Sequence, residues 1–178
     1  MLFRSLKSTG AGGALTPEGL IAECRKALPH CDYTDHYGQS ETGILTVLKP
    51  WESEAHRGSI GRAATGVDLR IADENGDAVP PGTIGEIATR SGLNMLHYYN
   101  NPEKTAETVD ADGWLYTGDA AIMDEDGYFY IKDRVKDMII SGGENVYPAE
   151  VENAIFGHPQ VNEVAVIGIP DEKWGEAV

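Results

Sequence analysis

The run from Asp133 to Glu152, D-R-V-K-D-M-I-I-S-G-G-E-N-V-Y-P-A-E-V-E, constrains the fold more than any other part of the chain. A short apolar stretch leads into Gly142 and Gly143, and paired glycines permit a tight turn and a close approach of backbone to a ligand. Pro148 then precedes acidic residues, which is typical of the first turn of a helix. The run therefore predicts a strand, a glycine loop and a helix in close succession.

The segment 136–178 is predicted to open a separate α+β domain, because a β-branched stretch from Val161 to Ile169 follows the helix and completes a β-α-β order. We expect this stretch to be a core strand, and we expect Trp114 and Phe129 to be core residues too.

Residues 58–135 alternate short apolar stretches with turn sequences such as D-E-N-G-D, P-P-G and D-E-D-G. This texture predicts a β-rich subdomain, either a small β-barrel or a sandwich.

Residues 1–57 are predicted to be the end of an α/β subdomain, with a helix between two strands. The second strand, Tyr33 to Tyr37, is followed by a glycine and then by Gln39, Ser40 and Glu41. Polar residues at the end of such a strand lie at the edge where α/β sheets bind ligands.

The net charge of -15 opposes binding to nucleic acid and to anionic membrane surfaces, so any bound nucleotide needs local cations. Cys24 and Cys31 lack metal-site spacing and are interpreted as reduced thiols. No apolar stretch has the length of a membrane span, and we expect a cytoplasmic protein without stable membrane insertion.

The run at 133–152 resembles the junction between the large and small domains of AMP-forming acyl-CoA synthetases of the fatty-acid and long-chain type, which belong to the adenylate-forming superfamily. Other motifs extend the resemblance over nearly the whole chain: G-G-A at Gly12 to Ala14, Y-G-Q-S-E at Tyr37 to Glu41, G-E at Gly85 and Glu86, and G-W-L-Y-T-G-D at Gly113 to Asp119. One departure is His97-Tyr98, where family members commonly have G-Y.

The resemblance implies an ATP-dependent carboxylic acid:CoA ligase that uses Mg²⁺, forms an acyl-AMP and transfers the acyl group to CoA. The form of the glycine loop favours a fatty or aryl acid, and neither the acid itself nor the oligomeric state follows from the sequence. Family members are several times longer, and their phosphate loop and late small-domain lysine are absent from these 178 residues. We therefore expect an internal fragment with little activity alone.

For the nucleotide site, the resemblance implies that Tyr37 stacks on adenine, with Gly38 and Gln39 beside it, and that Ser40 contacts the α-phosphate. Glu41 would bind Mg²⁺, which prefers carboxylate and phosphate oxygens and can neutralise charge on a phosphorus under attack. A lone motif of this kind would more simply be a strand end with a buried tyrosine and a solvated glutamate.

The resemblance also implies that Asp119 and Arg134 bind the ribose hydroxyls, a suitable pairing of acceptor and donor for a diol. Gly12, Gly13 and Ala14 would lie beside adenine and the acyl pocket. For Asp119 the alternative is a turn aspartate that bonds its own backbone. For Gly12 to Ala14 it is a glycine-rich stretch without function.

The resemblance implies that the small domain rotates about Lys136. As this hinge, Lys136 completes the predicted catalytic set together with Ser40 and Glu41. Gly142, Gly143 and Glu144 would line the CoA pantetheine tunnel after that rotation. The alternative for Lys136 is a solvated lysine, and the alternative for Gly142 and Gly143 is a plain β-hairpin turn.

Two other functions stay open. One is a peptide-synthetase adenylation domain, which transfers its acyl group to a carrier protein instead of CoA. The other is a truncated, non-catalytic module that binds nucleotide without turnover.

Overall fold

The computed structural model describes residues 5–12, 18–156, 158 and 160–178, which form three β-sheets and three α-helices. In chain order the elements are β1 (Ser8–Ala11), α1 (Glu18–Ala27), β2 (Asp32–Gln39), β3 (Gly43–Leu48), β4 (Arg62–Ala63), β5 (Asp68–Ala72), β6 (Gly85–Arg90), α2 (Pro102–Thr108), β7 (Leu115–Met123), β8 (Phe129–Arg134), a 3₁₀ turn (Val135–Asp137), β9 (Ile139–Ser141), β10 (Glu144–Val146), α3 (Pro148–Phe156), β11 (Ile169–Asp171) and β12 (Gly175–Ala177).

The first sheet has the strand order β1-β2-β3-β4. β1 and β2 are parallel and are connected through α1, as predicted for the end of an α/β subdomain, whereas β2, β3 and β4 are antiparallel. The register of β2 against β3 shifts between Tyr37 and Gly38. A Cβ atom at Gly38 would overlap the carbonyl oxygen of Gly43, so this close approach of two strands requires glycine.

The second sheet is antiparallel in the order β5-β6-β7-β8, and the predicted barrel is wrong: among the described residues β5 and β8 do not pair. The other edge of β8 is instead bonded, at Phe129, to the two residues that immediately precede β4. Ile60 N donates to Phe129 O at 2.9 Å, and Phe129 N donates to Gly61 O at 3.0 Å. These bonds occupy backbone groups that barrel closure would need.

The predicted turns are present. Asp73 Oδ1 accepts the backbone N–H groups of Asn75 and Asp77, both at 2.9 Å. Asp124 Oδ1 does the same for Asp126 at 3.0 Å and Tyr128 at 2.8 Å. An aspartate that accepts from backbone two residues onward stabilises a turn locally.

The core lies under the second sheet and joins it to the first. Its buried members are Ile60, Ile71, Ile87, Ala121 and Phe129, against which the Tyr37 ring also packs. The prediction for Phe129 is thus confirmed.

Trp114 is only half-buried, which corrects its assignment to the core. Its ring lies on the polar face of the sheet, 3.8 Å from the Arg70 guanidinium and 4.7 Å from that of Arg90. Cation–π contacts with guanidinium groups stabilise an aromatic ring that is not fully buried.

The third sheet has the order β10-β9-β12-β11, and α3 begins at Pro148 as predicted. The predicted strand from Val161 to Ile169 is wrong, because within this stretch only Ile169 has a strand partner. Ile167 is 68% exposed and Ile169 54%, so this stretch is not core. β-branched composition alone cannot form a strand without a neighbouring ladder. The domain divisions after residues 57 and 135 stay predictions.

Candidate active site

The Asp119 carboxylate gathers three predicted site residues around it. Tyr37 Oη donates to Asp119 Oδ2 at 2.6 Å, and Gln39 Nε2 donates to the same oxygen at 2.9 Å. Arg134 Nη1 lies 3.0 Å from Oδ1. The residues come from β2, β7 and β8, so the cluster joins the first sheet to the second.

Local backbone geometry aims Asp119 at this cluster. Gly118 has φ +75°, a left-handed conformation that favours glycine, and its N–H donates to Glu86 Oε1 at 2.7 Å. Gln39 Nε2 also donates to the carbonyl of Thr117 at 2.8 Å, which holds the same turn from the other side. In the ladder, Asp119 pairs directly with Arg134.

Burial sets the electrostatics of the cluster. Asp119 is 5% exposed, whereas the Arg134 side chain is 49% exposed and reaches solvent. Burial raises the pKa of the Tyr37 hydroxyl far above its usual value, and the negative charge of Asp119 adds to this effect, so Tyr37 remains a donor. Burial likewise raises the pKa of the Glu86 carboxyl, partly opposed by the bond from Gly118 N.

An open groove of about 670 Å³ lies beside the cluster. Its lining includes Gly12, His36, Tyr37, Gly38, Gln39, Ser40, Glu41, Gly43, Ile44 and Arg134. The groove thus contains the whole Y-G-Q-S-E motif together with Gly12 and a guanidinium. A strand end, a glycine and a cation around one groove are features that suit a phosphorylated ligand.

Ser40 and Glu41 form the turn that follows β2. Glu41 Oε1 accepts a hydrogen bond from Tyr98 Oη at 2.9 Å, and the Glu41 carbonyl accepts one from Met95 N at 2.6 Å. Burial and the bond to Glu41 raise the pKa of the Tyr98 hydroxyl, so Tyr98 is a donor here.

Glu41 fits a role as a magnesium ligand. Within the described part of the chain, no group of three or more His, Cys, Asp or Glu side chains could hold a metal by itself. Mg²⁺ is commonly held by one or two carboxylates while phosphates and water complete its shell, so a single carboxylate in a nucleotide groove suits it.

Gly12 follows β1, and a Cβ atom there would lie 3.2 Å from the His36 carbonyl oxygen. This contact is tight but is not an overlap. Gly13 and Ala14 lie outside the described residues.

The remaining predicted residues lie apart from the groove lining. Lys136 is in the 3₁₀ turn after β8, with its side chain 75% exposed and its Nζ 4.0 Å from Asp137 Oδ1. Gly142 and Gly143 form the turn between β9 and β10 with φ of 61° and 86°, and Glu144 is the exposed first residue of β10. The Gly-Gly pair is thus a hairpin turn, and the hinge and CoA roles stay predictions.

The sequence motifs indicate no role for Tyr98 or Thr117, and they contain Glu86 only as part of G-E. Tyr98 stood beside the one departure from the family pattern, which was the available signal. Its contact with Glu41 spans 57 residues and could not be found from local spacing.

Among the described residues, the longest helix is too short and too polar to cross a membrane.

Two family models match the chain. Residues 2–99 match the model described as AMP-binding enzyme, and residues 150–178 match that described as AMP-binding enzyme C-terminal domain.

Curated relatives resemble nearly the whole chain. It is 44% identical to the fatty acid–[acyl-carrier-protein] ligase ScoC of Streptomyces coeruleorubidus, over 99% of this chain and 34% of ScoC. It is also 44% identical to a feruloyl-CoA synthase of an Amycolatopsis species, over 97% of this chain and 35% of that protein. The chain therefore spans about a third of the length of these relatives.

A solved structure shares the fold. The o-succinylbenzoate CoA synthetase MenE of Bacillus subtilis, in complex with the acyl-adenylate intermediate OSB-AMP, is similar with a TM-score of 0.87 and 36% identity. The match covers 97% of this chain and 35% of MenE. The same enzyme in complex with ATP and magnesium ion gives a TM-score of 0.85 and 34% identity, over 96% of this chain and 35% of that one.

Proposed function

Because the chain belongs to the family of AMP-binding enzymes, we propose that the protein is an ATP-dependent acid ligase. It activates a carboxylic acid as acyl-AMP with release of pyrophosphate. The thiol of CoA then attacks the acyl carbon and displaces AMP to give the thioester. The chain contributes the adenine, ribose and α-phosphate contacts of this reaction.

The observation that carries the proposal is the buried Asp119 carboxylate held by Tyr37, Gln39 and Arg134 beside the groove. Fixed acceptors and a guanidinium provide the complementary groups for a ribose diol. Because these groups are already ordered before a ligand binds, little entropy is lost when the nucleotide docks.

Ser40 and Glu41 line the same groove. We assign these two residues to the end of the groove that receives the phosphates. The Ser40 hydroxyl donates to the α-phosphate, and Glu41 holds the metal. When bound, Mg²⁺ offsets the charge that develops on the phosphate oxygens. Arg134 adds a positive charge to a groove in a protein whose net charge is -15.

The thiol-transfer half uses the residues outside the groove lining. Lys136 is the pivot, since a short 3₁₀ turn between β8 and β9 can absorb a change in backbone dihedrals. Gly142, Gly143 and Glu144 then approach the acyl-adenylate, and the absence of side chains at the two glycines leaves space for the pantetheine arm.

The acid is fatty or aryl. The similarity to ScoC, named a fatty acid ligase, and to a feruloyl-CoA synthase supports both classes. ScoC is also named an acyl-carrier-protein ligase, which favours one second candidate, transfer to a carrier protein in place of CoA.

Acid-dependent exchange of ³²P between pyrophosphate and ATP tests the adenylation half. The protein expressed from its complete gene should exchange with at least one acid from a panel of fatty and aryl acids. Asp119→Ala should raise the ATP concentration needed for half-maximal exchange. AMP binding without exchange for any acid would support the non-catalytic module instead.

Supplying CoA or a phosphopantetheinylated carrier protein separates the two acceptors. Thioester formation with CoA supports the main proposal. Thioester formed only with the carrier protein would mean that the carrier protein is the acceptor instead of CoA. The adenylation half of the proposal would stay intact.

A further inference from the structure

We propose that Tyr98 is a positioning residue for Glu41, holding its carboxylate in the orientation that receives the metal–nucleotide complex. The inference rests on the proposed function and extends it to a residue outside the Y-G-Q-S-E motif.

Two hydrogen bonds from one segment fix residue 41. Tyr98 Oη donates to Glu41 Oε1 at 2.9 Å, and Met95 N donates to the Glu41 carbonyl at 2.6 Å. Both donors lie in the segment between β6 and α2. The segment therefore restrains both the backbone and the side chain of Glu41.

The Tyr98 bond uses one carboxylate oxygen and leaves Oε2 with its own lone pairs for a ligand. A glutamate side chain otherwise loses considerable rotamer freedom when it is ordered. With Tyr98 in place that loss occurs on folding and not on metal binding.

Tyr98 is itself anchored to a capped helix. Its backbone N donates to Thr105 Oγ1 at 3.0 Å, within α2. Asn101 caps that helix by accepting from Lys104 N at 3.0 Å, and Pro102 stands at its start. The backbone of Tyr98, whose hydroxyl holds Glu41, is thus tied to α2.

The position of Glu41 separates this role from a purely structural bond. Glu41 lines the groove, so its carboxylate borders the space that a ligand would occupy. Partners that orient a metal ligand typically change metal affinity about 10-fold to 100-fold when removed. A structural bond would instead change stability and leave the metal's contribution to nucleotide affinity unaltered.

Calorimetry of ATP binding to the protein expressed from its complete gene tests the proposal. The ATP affinity is measured with saturating Mg²⁺ and again with EDTA, and the ratio of the two affinities is the contribution of the metal. Tyr98→Phe, which removes only the hydroxyl, should lower this ratio about 10-fold and leave the affinity in EDTA unchanged.

Tyr99→Phe is the matched control, because Tyr99 is the adjacent tyrosine and is 88% exposed. It should keep the wild-type ratio. Glu41→Gln should bring the ratio close to one.

An unchanged ratio in Tyr98→Phe, with a reduced ratio in Glu41→Gln, would overturn the positioning role and spare the proposed function. Equal weakening with and without Mg²⁺ in Tyr98→Phe would make the bond structural and also overturn it. An unchanged ratio in Glu41→Gln would overturn the metal role of Glu41 and, with it, the positioning role of Tyr98.

Discussion

The substitution Asp119→Ala should destabilise the 178-residue chain even without a nucleotide, because Asp119 ties the two sheets together. Its loss removes the acceptor of the Tyr37 hydroxyl, which is 2.6 Å away, and one of the two acceptors of the Gln39 amide. The amide keeps its bond to the Thr117 carbonyl at 2.8 Å, so the orphaned tyrosine hydroxyl is the larger loss.

The magnitude follows from burial. A donor left unsatisfied away from water costs about 1–3 kcal/mol, and a hydrogen bond to a charged group contributes about 1.5–3 kcal/mol. The Arg134 ion pair adds little, roughly 0–1 kcal/mol, because its guanidinium is half-exposed. We expect a total of about 3 kcal/mol, or a fall in Tm of about 6–12 °C for a chain of this size.

Asp119→Asn separates the effect of the negative charge of Asp119 from the effect of its hydrogen bonds. The amide oxygen can accept from Tyr37 and Gln39 while the NH₂ group faces the half-exposed Arg134, so we expect a loss of only about 1 kcal/mol. Tyr37→Phe leaves Asp119 with its other partners and should cost about 1–2 kcal/mol.

Urea unfolding followed by tryptophan fluorescence measures each variant and the double variant Asp119→Ala/Tyr37→Phe. The coupling energy between Asp119 and Tyr37 should be about 1–2 kcal/mol. A coupling within about 0.3 kcal/mol of zero would refute the argument that this bond joins the sheets.

Three further changes have defined outcomes. Gly38→Ala should lower the unfolding free energy by about 3 kcal/mol, since its Cβ would overlap the Gly43 carbonyl, whereas Gly92→Ala, with open space around it, should be near neutral by the same urea assay. Burial raises the pKa of Glu86 in the folded state, so ionisation of Glu86 lowers the free energy of unfolding. This loss of stability is absent below the unfolded-state pKa and complete above the folded-state pKa. The Tm of Glu86→Gln relative to that of the native chain should therefore rise as the pH increases above about 4, and a difference that stays constant with pH would contradict the shift. Lys136→Pro in the protein from its complete gene should spare pyrophosphate exchange and block thioester formation, and equal loss of both would exclude the hinge.

Local sequence signals predicted the elements that depend on local chemistry. The Pro148 helix start and the aspartate turns at Asp73 and Asp124 are confirmed, because each is specified by residues within one turn of chain. The strand predicted for Val161–Ile169 failed because pairing with a neighbour decides a strand, and β-branched residues alone cannot supply that neighbour.

The candidate site likewise contains residues that the sequence identifies and contacts that the sequence does not reveal. The motif residues Tyr37, Asp119 and Arg134 could be identified from the sequence, and the structure brings them into contact. The contacts of Tyr98 with Glu41 and of Glu86 with Gly118 could not be identified, since 57 and 32 residues separate the partners. Tyr98 and Glu41 lie in two connecting segments, and Glu86 and Gly118 lie in the neighbouring strands β6 and β7, so only the folded chain brings each pair together.

In the proposed reaction, the position of Arg134 would let one nucleotide site persist while the small domain rotates. Arg134 is the last residue of β8 and is bound to Asp119, and the 3₁₀ turn begins at the next residue. A pivot within that turn would therefore leave the proposed ribose contacts on the stationary side. Asp133 Oδ2, however, accepts from Ala149 N at 2.8 Å at the start of α3, so this bond crosses the pivot. A carboxylate at a helix N-terminus is favourable, so the proposed rotation would have to break a stabilising contact, and Asp133 would favour the arrangement seen here.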